Sequence, residues 1–308
     1  MKKTCPFFGK CGGCKFDFTA LDYCQKKSEL LPKNLDCDTP VWTMPGIRRR
    51  IDAAFGGGTF GFFQSGTKNI IPIECCPNAT DRINRILPAL AKMPWCGAGS
   101  CLITECDNGI DIAINSNVPY FTPEFKNAAD ALDAIRITWN GKIIKQTQMP
   151  IVTFSEHHVE YPANAFLQPS VMGADILRNL VKQYATGAKR VADLFCGLGN
   201  FTFALNADGF DIVGTGVKRD LFKKPLTVGM LDNYDTIVMD PPRAGADAQC
   251  HEIIKSNVKR IIYVSCNPGT FMRDKNTLER GGYRLSVLIP VDQFVGSDHW
   301  ELFSVFEK

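Results

Sequence analysis

Arg190-Val191-Ala192-Asp193-Leu194-Phe195-Cys196-Gly197-Leu198-Gly199-Asn200-Phe201-Thr202 is the stretch that decides the fold. An apolar run of strand length enters a tight Gly-x-Gly turn and leaves as a helix. In an open parallel sheet, ligands bind at such carboxyl ends, and glycine lets them approach the backbone closely. The full dinucleotide pattern needs a third glycine where Thr202 stands, so the turn suits a ligand without a pyrophosphate, such as S-adenosylmethionine. Alone, a Gly-x-Gly after a strand is as often a mere turn.

The surroundings give it company. Arg190–Phe195, Phe210–Val213, Thr236–Met239, Arg260–Ser265, Tyr283–Ile289 and Leu302–Phe306 read as apolar strands between glycine-rich or helical segments. Val171–Tyr184 is helical, with Ile176, Leu177, Leu180 and Val181 on one face. Strands alternating with helices predict an α/β fold with a doubly wound parallel sheet. Asp240-Pro241-Pro242-Arg243-Ala244-Gly245 follows one strand directly, and Ser265-Cys266-Asn267-Pro268 closes the next. Pro-Pro can be only a strand stop and Asp240 only a cap. Three such strand ends around one crevice, however, predict a site.

The first half reads differently. Phe55–Phe63 is glycine- and phenylalanine-rich and predicts strand and turn. Asp81–Met93 and Pro123–Ala134 predict helices, the first disturbed by Pro88. Asn108-Gly109 and Asn140-Gly141 mark hairpin turns. A strand-rich α+β domain over 1–160 and a Rossmann-like domain over 161–308 follow, and a chain of 308 residues suits two domains.

Composition excludes other classes. With 45% hydrophobic and 22% charged residues the chain is neither disordered nor fibrous. Ile261–Val264 and Leu285–Ile289 fall far short of the roughly 20 residues that span a bilayer. Thr4-Cys5-Pro6 follows Met1-Lys2-Lys3 where a leader would turn apolar, so a cytoplasmic chain with no membrane partner is expected. The net charge of +3 is too mild to argue nucleic-acid binding by itself. In Arg48-Arg49-Arg50 a solvated face and a phosphate contact for looped RNA stand side by side.

Thirteen cysteines in a reducing compartment mark metal ligands, nucleophiles or small core residues. Cys37, Cys196 and Cys250 are read as core, and Cys101 and Cys106 as packed in a strand, with Cys96 evenly spaced from them. Cys5, Cys11 and Cys14 form a dense thiol set, and four-cysteine sites hold zinc or an iron–sulfur cluster; spacing does not choose.

Together, Asp193–Thr202, Asp240–Ala246 and Ser265–Pro268 resemble the motifs of the bacterial RNA 5-methyluridine methyltransferase family, in order and over nearly the whole chain. Phe166-Leu167-Gln168 is similar to its aromatic-x-Gln element, and His299-Trp300-Glu301 to its His-x-Glu. The resemblance implies an S-adenosylmethionine-dependent enzyme forming 5-methyluridine in RNA, 23S rRNA first and tRNA as runner-up, acting as a monomer. Carbon 5 of uracil is a poor nucleophile until a thiolate adds at C6, which makes Cys266 the candidate nucleophile. The resemblance implies Glu301 as the base for the C5 proton. It implies Gln168, Phe195, Asn200 and Asp240 around S-adenosylmethionine. It also implies a [4Fe–4S] cluster on Cys5, Cys11, Cys14 and Cys76, since Cys76-Pro77 matches the family's Cys-Pro where Cys75 does not. The uridine is expected flipped or looped out, and the family's extra amino-terminal RNA-binding barrel is expected to be absent.

One segment departs from the pattern. Between Gly199 and Asp240 lie only about forty residues, too few for the usual two helices and two strands with their connections. The second strand, read as ending Val213-Gly214-Thr215-Gly216, carries no acid for ribose hydroxyls. Asp220, in Arg219-Asp220-Leu221-Phe222, is the expected partial substitute. A catalytically weak RNA-binding relative with impaired cofactor binding is therefore the alternative.

Overall fold

Period-2 hydrophobic runs and strong turn signals build the first of two large sheets in a computed structural model that describes residues 5–33 and 35–308. The first half carries α1 (Tyr23–Ser28), β1 (Val41–Trp42), β2 (Arg50–Gly56), β3 (Thr59–Phe63), β4 (Ile70–Pro72), α2 (Asp81–Ala91), β5 (Gly99–Cys106) and β6 (Gly109–Ser116). It continues with α3 (Pro123–Ala131), β7 (Arg136–Trp139), β8 (Lys142–Gln146), β9 (Ile151–Phe154) and β10 (His157–Glu160). Strands order as β4-β3-β2-β5-β6-β7-β8. Asn140 and Gly141 both take positive φ, 48° and 78°, the geometry that joins β7 to β8 in two residues. Thr80 and Thr122 cap α2 and α3 through their hydroxyls. Both helices lie on the sheet over an aromatic core in which Trp95 stacks on Phe55 at 4.5 Å and on Phe60 at 5.3 Å.

The second half carries α4 (Val171–Tyr184), β11 (Val191–Leu194), α5 (Thr202–Leu205), β12 (Asp208–Asp211), β13 (Val217–Lys218), α6 (Val228–Leu231), β14 (Thr236–Met239) and α7 (Asp247–Ile253). It ends with β15 (Arg260–Ser265), α8 (Pro268–Arg280), β16 (Arg284–Asp292) and β17 (Glu301–Glu307). The strand order is β1-β16-β17-β15-β14-β11-β12-β13. β11, β12, β13, β14 and β15 run parallel as expected, and the direction of winding reverses between β11 and β14. Two features depart from the parallel expectation. β17 is antiparallel to both neighbours, because its connection from β16 is too short for a crossover helix. β1, from the first half, adds to this sheet beside β16, Val41 opposite Val291.

The shortened segment is real in outline: α5 is a single turn of four residues. Its second strand is shifted from the expected Phe210–Val213. β12 is Asp208–Asp211, so a carboxylate does stand at its carboxyl end, and that carboxylate accepts the Ile212 and Val213 N–H groups that a longer strand would have paired. Among the described residues no helix is long and apolar enough to cross a membrane.

Candidate active site

β11 hands the chain to Phe195, whose φ of 61° is unusual for a bulky residue and is held by its N–H donating to the Phe210 carbonyl at 2.9 Å. Gly197 and Gly199 follow at φ 51° and 94°. The Asp211 carboxylate accepts from the Gly197 N–H at 2.8 Å and from the Ile212 N–H at 2.6 Å. A Cβ on Gly214 would lie 1.8 Å from the Gly197 carbonyl, so only glycine lets the segment after β12 lie on the turn.

Across the reversal point, β14 delivers Asp240, β15 delivers Cys266 and the first residue of β17 is Glu301. A chain of carboxamides links the two acids. Gln168 Nε2 donates to Asp240 Oδ2 at 2.8 Å, and Gln168 Oε1 accepts from Gln293 Nε2 at 2.8 Å. Gln293 Nε2 also donates to Glu301 Oε2 at 3.0 Å. Gln168, Gln293 and Glu301 are all buried. At each end of this relay one carboxyl oxygen, Asp240 Oδ2 and Glu301 Oε2, accepts from an amide N–H.

Burial first, then the neighbouring Asp193, pushes Asp240 up to about 7, against the lowering hydrogen bond from Gln168. Burial and then Asp240 hold Glu301 well above the usual carboxylate range, while the Gln293 bond lowers it. The Cys266 thiol is pushed up to about 11 by desolvation, then by Glu301 and Asp240, with Arg243 acting in the opposite direction. A partly exposed thiol beside two desolvated carboxyls, both raised above the ordinary carboxylate range, is an arrangement for nucleophilic attack with proton transfer.

Cys266, Glu301, Asp240 and Gln168 are thus brought together from four separate parts of the chain. The other expected residues are engaged elsewhere. Phe195 lies at the crevice, its ring 5.4 Å from that of Phe222. Asn200 Oδ1 accepts from Arg178 at 3.1 and 3.0 Å. The Asp220 carboxylate accepts from the Phe222 and Lys223 N–H groups of its own turn, at 3.1 and 3.2 Å. Sequence reading missed Gln293, which belongs to no motif, and Asp211, which a strand ending at Gly209-Phe210-Asp211 would have marked.

The basic run is only partly solvated, Arg48 and Arg50 being half-buried. Arg49 is buried and its Nε donates to the Gln168 carbonyl at 3.2 Å, so it fixes the carboxamide chain from behind. Arg48 lies against Cys76 and Cys14, and the Arg50 guanidinium lies 5.7 Å over the exposed Phe166 ring.

Among the described residues no three His, Cys, Asp or Glu side chains are grouped to hold a metal ion, so the metal site expected on Cys5, Cys11, Cys14 and Cys76 is not formed as such. The four thiols are nonetheless neighbours: burial first, then Cys76, Cys11 and Cys5, push Cys14 up to about 12. Cys11 Sγ accepts from the Gly13 N–H and Cys14 Sγ from Asn78 Nδ2, both at 3.3 Å. Cys75 is exposed. Cys101, Cys106, Cys196 and Cys250 are buried as expected, whereas Cys37 is only half-buried, packed at the margin of the second core.

Residues 225–308 match the family model described as tRNA (uracil-5-)-methyltransferase. An uncharacterised RNA methyltransferase of Agrobacterium fabrum is 33% identical over 97% of this chain and 83% of its own length. That match runs over 347 positions against the 308 residues here, so the relative carries residues that this chain lacks. A 23S rRNA (uracil(1939)-C(5))-methyltransferase of Cronobacter sakazakii is 26% identical over 99% of this chain and 81% of its own. In fold, the chain resembles the Pyrococcus abyssi tRNA (uracil-54, C5)-methyltransferase solved with S-adenosyl-L-homocysteine. The TM-score is 0.69 over 92% of this chain and 81% of that one, at 20% identity.

Proposed function

The chain belongs to the RNA (uracil-5-)-methyltransferase family, and on that premise we propose that it methylates carbon 5 of a uridine in 23S rRNA. The observation that carries the reading is the convergence of Cys266, Asp240 and Glu301 on one crevice beside the Gly-x-Gly turn. S-adenosylmethionine, when bound, supplies an electrophilic methyl group. Phe195, Asn200, Asp220, Gln168 and Asp240 are its proposed neighbours, and the strained Phe195 with bare Gly197 leaves backbone open to a ligand.

Cys266, having lost its proton to solvent, would add through Sγ to C6 of a flipped uracil, and C5 would then take the sulfonium methyl group, the cofactor leaving as its neutral thioether. Glu301 takes the C5 proton, the Sγ–C6 bond breaks, and the thiolate returns. Asp240, poised near neutrality, accepts from or donates to the uracil edge or the methionine amino group. Mass spectrometry of RNA from a deletion strain tests the reading. Loss of 5-methyluridine at one 23S position is expected; unchanged 5-methyluridine at every site refutes it, and loss confined to tRNA moves the substrate there.

The short α5 and the self-engaged Asp211 and Asp220 favour a second reading, an RNA-binding relative that binds cofactor poorly. Micromolar binding in calorimetric titration with S-adenosylmethionine removes it.

For the four thiols we propose a [4Fe–4S] cluster on Cys5, Cys11, Cys14 and Cys76, supported by the all-sulfur donor set and its mutual proximity. Its role would be a structural cross-link, since methyl transfer moves no net electrons. Anaerobically purified protein should be brown; colourless protein with stoichiometric zinc refutes the cluster.

A further inference from the structure

Gln293 is 4% exposed and sits between two groups of the reaction centre, donating through one nitrogen to Gln168 and to Glu301. Only an amide nitrogen can serve two acceptors at once, so the network fixes which end of the carboxamide faces Glu301. Its oxygen faces the other way. Gln293 Oε1 and Asn78 Oδ1 are both buried without a protein partner, and both residues line one cavity of about 10 Å³ together with Arg48 and Ser170. Asn78 Nδ2 in turn donates to Cys14 Sγ at 3.3 Å and to the Val295 carbonyl at 3.0 Å.

The residue preceding Gln293 is held as firmly. Asp292 is fully buried, paired with Lys27 of α1, and accepts from the Tyr23 hydroxyl at 2.6 Å. That hydroxyl also accepts from the Gly296 N–H at 3.0 Å, and Lys27 Nζ donates to the Phe294 carbonyl at 3.0 Å. The Gly296 carbonyl takes the N–H groups of Lys15 and Phe16 at 2.7 and 2.9 Å. The segment 292–296 is therefore gripped on one side by the cysteine-bearing amino terminus and presents Gln293 to the acids on the other.

We propose that Gln293 is a positioning residue for Glu301, and that Tyr23 and Lys27 of α1, with Asn78 between β4 and α2, fix its place. The inference rests on the reading of Glu301 as the base. Asp240 acts on Glu301 and Glu301 on Cys266 through their charge, Arg243 acts on the Cys266 thiol and lies against His299, and Gln293 supplies the hydrogen-bond donor to Glu301. A donor to the ionised carboxylate favours that form, so its loss makes Glu301 hold its proton to higher pH.

The test is the pH profile of single-turnover methylation with a uridine-containing 23S fragment and S-adenosylmethionine. Gln293→Leu keeps the volume and removes the donor. The acid limb should move up by about one pH unit, the size of one charge-assisted hydrogen bond. Covalent protein–RNA adduct should accumulate at pH 7 and clear when the pH is raised, with RNA affinity unchanged. Tyr23→Phe should move the limb the same way by less. Should Gln293→Leu lose cooperative urea unfolding, Gln293→Asn, which keeps the amide but withdraws it by one methylene, takes its place with the same expectation. An unmoved acid limb, in a protein where Glu301→Gln does trap adduct, overturns the inference alone. Parental turnover by Glu301→Gln overturns the reading of the base on which it rests.

Discussion

Cys266 should be a sluggish thiol in the free protein, and the reason is legible in its neighbours. Desolvation, Glu301 and Asp240 push it up to about 11 from an ordinary 9.0. At pH 9 an ordinary thiol is roughly half ionised and one at about 11 roughly a hundredth, so alkylation should be about 50-fold slower than for a small free thiol. Iodoacetamide labelling followed peptide by peptide in a mass spectrometer isolates Cys266 from the other twelve cysteines. Two substitutions should act with opposite sign. Asp240→Asn removes a negative neighbour and should speed labelling by roughly 3-fold or more, whereas Arg243→Ala removes the opposing cation and should slow it. Labelling at the free-thiol rate, or rates indifferent to both substitutions, refutes the placement of Cys266 between these charges. For the proposed mechanism the consequence is a Cys266 that rests protonated and reacts slowly with passing electrophiles.

Three further outcomes follow from the same geometry. Glu301→Gln should stall after methyl transfer, leaving labelled RNA joined to the protein as a slow band on a denaturing gel, absent with Cys266→Ala; parental turnover sinks the base assignment. Asp193 is fully buried with its folded value raised from 3.8 to about 7, so its stabilising contribution is complete below about pH 4 and is lost as pH rises through about 7. Of a total of about 4 kcal/mol, about 3 kcal/mol should fall between pH 5 and pH 8. Asp193→Asn should flatten urea-unfolding stability over that range, and an unchanged slope contradicts the raised value. Lys27→Met strands the buried Asp292 carboxylate and should cost about 3–5 kcal/mol, most of it regained in Lys27→Met with Asp292→Asn. A single variant within 1 kcal/mol of the parent, roughly the worth of an exposed pair, would show that the pair is solvated.

Local chemistry made much of this protein readable from its sequence. The helix Val171–Tyr184, the strands Thr236–Met239 and Arg260–Ser265 and the Asn-Gly hairpins have their observed bounds because period, capping residues and turn glycines act over a few residues. Cys266 and Asp240, proposed here as reaction residues, were marked by strand ends, and Glu301 by a resemblance. Tertiary structure alone decided the rest. β17 runs antiparallel because a short connection cannot cross the sheet, and β1 joins β16 across some 250 residues of chain, which no local pattern encodes. Within the basic run Arg48-Arg49-Arg50, Arg49 became an internal support because folding set it against the Gln168 carbonyl, while Arg48 and Arg50 are half-buried. Gln293 has no motif at all: a carboxamide acquires its role only when folding sets an acid at each end of its hydrogen-bond chain.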